Sequence, residues 1–116
     1  MAKKKKILII EDNIEICELM EMILSDKYEV SVKNSMDEIV KDFDVSSFNL
    51  IISDYLIGNR DAGEVVEMFP EKKYLILTAL SSQNPRLKQL ISRPNISYMQ
   101  KPFELNNFTE TVESLI

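Results

Sequence analysis

The sequence contains no histidine. Without an imidazole, histidine general-base catalysis, Ser/His and Cys/His nucleophile pairs and histidine-ligated zinc are all excluded. The single cysteine, Cys17, cannot close an intramolecular disulfide, so the chain does not read as a stapled secreted scaffold and its context reads as cytoplasmic. No apolar run is long enough to span a bilayer. Lys3 to Lys6 lead into only four apolar residues, Ile7 to Ile10, too few for a signal-peptide core. Basic residues are outnumbered, 14 against 19 acidic, and the net charge of −5 argues against nucleic acid as a partner. Glycine occurs only twice, at Gly58 and Gly63. What chemistry remains must run on carboxylates, hydroxyls and lysine.

The 116 residues suffice for one domain with its own core, and they read as a single unit, 1–116, with a basic leader at 1–5. Two kinds of apolar segment alternate. Ile7 to Ile10, Leu50 to Ile52 and Leu75 to Leu77 are short continuous runs, as expected of strands buried on both faces of a parallel sheet. Tyr28 to Val32 alternates like a more exposed strand, and Ile96 to Met99 completes a set of five.

Helical patterns lie between them. Ile16, Met20, Ile23 and Leu24 recur at three- and four-residue spacing behind Asp12 or Asn13 as N-cap. Ser35 with Glu38 is a capping-box pattern before Ile39, Val40 and Phe43. Asp61 with Glu64 repeats it before Val65 and Val66, and Pro70 closes that third helix early. Asn84 and Pro85 open a fourth helix that Pro94 ends, and Leu105, Phe108, Val112, Leu115 and Ile116 mark a fifth.

Five strand–helix units predict an α/β fold: a doubly wound, flavodoxin-like parallel sheet in the order 2-1-3-4-5 with five helices, the third shortened. In such a sheet ligands bind beyond the strand carboxyl ends. The first strand ends in Glu11 and Asp12, the third in Asp54, the fourth in Thr78, and the fifth runs to Lys101 and Pro102. Three clustered anions need a counter-charge, of which Lys101 supplies one; an all-oxygen donor set leaves room for Mg²⁺. A metal with open positions then invites a phosphoryl group, whose oxygens Thr78 and Lys101 can hold.

The constellation Glu11-Asp12, Asp54, Thr78-Ala79 and Lys101-Pro102-Phe103 resembles the receiver domain of two-component response regulators, over essentially the whole chain. The resemblance implies Asp54 as phosphoacceptor and a Mg²⁺ site made of Asp12, Glu11 mainly through water, Asp54 and the backbone carbonyl of Leu56. It implies Thr78 and Lys101 as phosphoryl ligands, Tyr98 as a switch aromatic that moves with Thr78, and a cis peptide between Lys101 and Pro102. It further implies a histidine kinase or histidine phosphotransfer protein as donor, since this chain has no histidine to phosphorylate. The output implied is a downstream protein target or a self-dimer through the fourth helix, fifth strand and fifth helix.

The sequence also departs from the family. Members usually carry a proline four residues after the phosphoacceptor and a glycine eight after it, where this chain has Gly58 and Ala62. The segment from Gly58 to Gly63 therefore reads as a variant loop of open path. The interval from Asp54 to Thr78, 78 − 54 = 24 residues, is several shorter than usual. A competing reading is thus a receiver-like binding module that works without phosphorylation. A flavin-phosphate site fits poorly, because the strand-end loops are acidic where it would need glycines, hydroxyls and amides.

Leu56 and Leu80, two residues after Asp54 and Thr78, flank the phosphoryl group in this family, and neither side chain can hydrogen-bond an attacking water. An acyl phosphate on Asp54 is therefore expected to hydrolyse slowly. A time course after removal of the phosphodonor checks this; decay within seconds would contradict it, and Leu56→Asn or Leu80→Glu should hasten the loss.

Overall fold

The computed structural model describes residues 4–40 and 44–116, without the side chain at 40. Lys3 of the basic leader and Phe43 of the second apolar helix face lie outside the described residues. In chain order the elements are β1 (Lys6–Ile10), α1 (Ile14–Leu24), β2 (Glu29–Lys33), α2 (Asp37–Val40), β3 (Leu50–Asp54), β4 (Leu56–Ile57), β5 (Arg60–Asp61), α3 (Gly63–Met68), β6 (Tyr74–Thr78), α4 (Pro85–Ile91), β7 (Ile96–Gln100) and α5 (Leu105–Leu115). The five long strands form one parallel sheet in the order β2-β1-β3-β6-β7. By position this is the flavodoxin-like order 2-1-3-4-5.

Alternation along the strands divides the core in two. Leu8, Ile10, Ile51, Tyr74 and Ile76 face α2, α3 and α4, where Ile39, Val65, Val66, Leu87 and Leu90 meet them. Ile7, Ile9, Leu50, Ile52, Leu75 and Leu77 face α1 and α5, against Cys17, Met20, Leu24, Phe108 and Val112. Both faces are covered, which is why these strands read as continuous apolar runs.

The helix caps follow the sequence at α1 and α4 and depart from it at α2 and at α3, where Ala62 rather than Asp61 stands at the N-cap and Asp61 Oδ1 accepts from the Gly63 amide at 2.8 Å. Asn13, not Asp12, caps α1, its Oδ1 accepting from the Ile16 amide at 3.1 Å. Asn84 caps α4 by accepting from Arg86 and Leu87, with Pro85 in the first turn. In α2 the box is not closed at Ser35: Glu38 Oε2 accepts from the Asn34 amide instead, at 3.0 Å, and the helix starts at Asp37. The third helix has six residues and stops before Pro70. Its end is satisfied by side chains, with Tyr74 Oη donating to the Phe69 carbonyl at 2.7 Å and Asn95 Nδ2 to the Pro70 carbonyl at 2.9 Å.

The segment after β3, expected from the sequence to be a loop, is an antiparallel hairpin pairing Leu56 with Asp61 and Ile57 with Arg60. Gly58 opens its turn at φ +62°, a backbone state open to glycine without steric cost. Arg60 ties the hairpin to α2 and α3, pairing with Asp37 at 2.8 Å and Glu64 at 2.6 Å.

Two leader lysines, Lys4 and Lys5, are bonded to helix ends. Lys4 donates to the carbonyl of Ser25 behind α1, and Lys5 to that of Ile116 behind α5. Both place a cation at the negative end of a helix dipole.

Phe108 is fully buried between α5 and the sheet. Replacing it with alanine should cost about 3–5 kcal/mol, read as a lower urea midpoint at unchanged slope.

Candidate functional site

The sheet register brings the strand ends to one level. Ile10 stands beside Ser53, Asp54 beside Leu77, and Thr78 beside Gln100, so the residues that follow converge on one edge. Each is held by the ladder continuing past the strand. The Glu11 amide donates to Lys33 O at 3.0 Å, Tyr55 N to Leu77 O at 3.0 Å, and Lys101 N to Thr78 O at 2.8 Å. The cis peptide between Lys101 and Pro102 follows at once.

Glu11, Asp12 and Asp54 each offer an oxygen, the three within 4.8 Å of one another. Among the described residues this is the one acidic or thiol cluster that can hold a metal ion. Lys101 Nζ lies 2.6 Å from Glu11 Oε1 and 3.1 Å from Asp54 Oδ2. Glu11 is buried, Asp54 half-buried and Asp12 exposed, so the cluster runs from the core to solvent. Burial pushes the Glu11 carboxyl above the usual carboxylate range; the charge of Asp54 adds to the push and Lys101 opposes it. Burial works against the Lys101 ammonium too, but its bonds to Glu11 and Asp54 outweigh that and hold it above ordinary lysine.

Donor chemistry is the test of whether a metal fits. Three carboxylates open to solvent at one corner, with a single ammonium among them, leave uncompensated negative charge and oxygen ligands only. That set suits a hard divalent cation such as Mg²⁺.

Thr78 and Tyr98 are joined through the backbone of one residue, Leu80. Thr78 is buried, and its Oγ1 accepts from the Leu80 amide at 3.1 Å. The Leu80 carbonyl accepts from Tyr98 Oη at 2.9 Å. Tyr98 and Leu80 are half-buried and pack against the core under α4. Leu56 opens the hairpin beside Asp54 with its side chain about half exposed.

Two further residues contribute to the site. Asn34 Nδ2 donates to the Glu11 carbonyl at 3.0 Å, a contact between β-strand ends that no local spacing announces. The Gly58 amide donates to Asp12 Oδ2 at 3.1 Å. The signal for the second was present in Gly58-Asn59, a two-residue hairpin turn flanked by short paired segments. Cys17 is packed: its Sγ donates to the Glu11 carbonyl, and burial, with the Glu11 charge adding, pushes the thiol up to about 11.

A family model described as the response regulator receiver domain matches residues 7–113. Among solved structures, the chain is similar to the chemotaxis response regulator CheY4 of Vibrio cholerae, with 21% identity, TM-score 0.81, and 98% of this chain and 100% of that one covered. The non-phosphorylated HemR receiver domain of Leptospira biflexa is similar at 25% identity and TM-score 0.81, covering 97% and 94%. A two-component response regulator of Clostridium difficile gives 18% identity and TM-score 0.82, covering 97% and 95%. No curated protein sequence matches the chain. With the family matched over nearly its whole length and the fold shared with these regulators, the chain belongs to the response regulator receiver domain family.

Proposed function

We propose that this receiver is a Mg²⁺-dependent phospho-aspartate switch of a two-component or phosphorelay system. Asp54 takes a phosphoryl group from a phosphohistidine on a histidine kinase or histidine phosphotransfer protein. The observation that carries this reading is the position of Asp54, inside a three-carboxylate cluster and bonded to Lys101.

Glu11, Asp12, Asp54 and the Leu56 carbonyl would hold the ion, which when bound supplies positive charge against the phosphoryl oxygens. The Lys101 bond to Asp54 Oδ2 leaves Oδ1 as the attacking atom. Its attack on phosphorus forms the acyl P–O bond as the P–N bond to imidazole breaks, and the electron pair leaves with the imidazole. Lys101 Nζ and Thr78 Oγ1 then meet the phosphoryl oxygens.

Turning the Thr78 hydroxyl toward the phosphoryl group takes the acceptor away from the Leu80 amide. The carbonyl of that same residue, in the next peptide, anchors Tyr98, so the change passes to the face of α4, β7 and α5. A downstream protein or a second copy of the chain would read that face. There α4 bears exposed Arg86 and Lys88, with Arg93 just beyond, and residues 72–103 contain no acidic side chain. Such turnover as the domain has is confined to its own phosphorylation and slow dephosphorylation.

Incubation with a small-molecule phosphodonor and Mg²⁺ should add one phosphoryl mass that is acid-stable, base-labile and absent from Asp54→Asn. No gain, with no Mg²⁺ affinity, would favour the phosphorylation-independent binding module. Mg²⁺ alone should raise the thermal midpoint, at a hundredfold excess over its Kd by the equivalent of about 2.7 kcal/mol. Asp54→Asn should lose most of that gain, and an equal gain in the variant would count against Asp54 as a ligand.

A further inference from the structure

Asp12 is the exposed member of the cluster, and one of its oxygens is occupied by a backbone amide from the hairpin, Gly58 N at 3.1 Å from Oδ2. From this contact we infer that Gly58 is a positioning residue for the cation site: its amide fixes the orientation of the Asp12 carboxylate at the cluster. The inference rests on the reading of Glu11, Asp12 and Asp54 as a cation site.

Three features make the contact more than a chance approach of a loop. First, the amide is aimed by backbone geometry, since Gly58 sits at φ +62° in the first position of a two-residue turn between paired residues Ile57 and Arg60. Crowding does not explain the glycine, because a Cβ added there would meet nothing within 4 Å. Second, the hairpin is braced from both sides, by Arg60 to Asp37 of α2 and to Glu64 of α3. Third, the Ala62 amide bonds back to the Tyr55 carbonyl at 2.8 Å, closing the base of the hairpin next to Asp54. The turn therefore holds a donor over Asp12 on a frame anchored to the phosphoacceptor's own strand.

A carboxylate that ligates a metal gains affinity when a second partner fixes its orientation, because the ion then need not order it. The tie leaves Oδ1 and one lone pair of Oδ2 available. It also couples the site to the hairpin, so that a cation drawing on Asp12 is felt at Gly58.

The test uses Mn²⁺ as an electron-paramagnetic-resonance probe of binding to wild type, Gly58→Asn and Gly58→Pro, with amide NMR alongside. Gly58→Asn keeps the N–H and tolerates positive φ, so it should bind within about twofold of wild type; Gly58→Pro should bind about tenfold more weakly. Equal binding by Gly58→Pro, or equal weakening in both variants, would overturn the inference. A second measurement needs no change at Gly58: with only two glycines in the chain, its amide resonance is readily identified, and in Asp12→Ala it should move upfield and lose exchange protection. An unmoved Gly58 resonance would also overturn the inference. Failure of wild type itself to bind Mn²⁺ would sink the cation-site reading and this inference together, whereas wild-type binding indifferent to Gly58→Pro sinks the inference alone.

Discussion

Like charges gathered at the end of a sheet push the sheet apart unless something holds them, and in this protein Lys101 does so. Its ammonium bridges Glu11 and Asp54, at 2.6 and 3.1 Å, across β1, β3 and the turn after β7. The bridge joins residues 90 and 47 positions apart in sequence, so it depends on the parallel register. The same register depends in turn on apolar strands covered on both faces by helices. Core packing, strand order and site electrostatics are therefore one arrangement, and the incomplete neutralisation it leaves is what suits the site to a divalent cation.

Much of this is legible in the sequence because the two signals that matter are local. Continuous apolar runs at Ile7, Leu50 and Leu75 identify buried parallel strands, and a site residue, Glu11, Asp54 or Thr78, stands one or two positions after each run. The caps at Asn13 and Asn84 are equally local, each a side chain reaching two or three residues ahead. What the sequence hides is contact at a distance. Asn34 on the Glu11 carbonyl depends on how β2 lies beside β1, which no spacing encodes. The hairpin was obscured differently. Its strands have two residues each, too short for any periodicity, and only the Gly58-Asn59 pair betrays the turn.

The shortened third helix leaves the site intact for a reason that is positional. Asp54 is set by β3 upstream of the deletion, and Thr78 by β6 downstream of it. Between them the chain turns back through the hairpin and six helical residues, and Tyr74 and Asn95 satisfy the carbonyls that a longer helix would have bonded internally. The loss is absorbed where the structure faces solvent, while the strand ends keep their register.

The lysines at the opposite end of the sheet have a bearing on the approach of ligands. Lys4, Lys5 and Lys6 precede or begin β1, Lys72 and Lys73 stand just before β6, and several of them cap carbonyls at that end. Glu11, Asp12 and Asp54 crowd the other end. At the strand starts the lysines thus stand among acids such as Glu29 and Glu71, whereas at the strand ends three carboxylates share a single ammonium. A cation arriving from solution is drawn to the end where negative charge is left uncompensated, before any ligand contact is made.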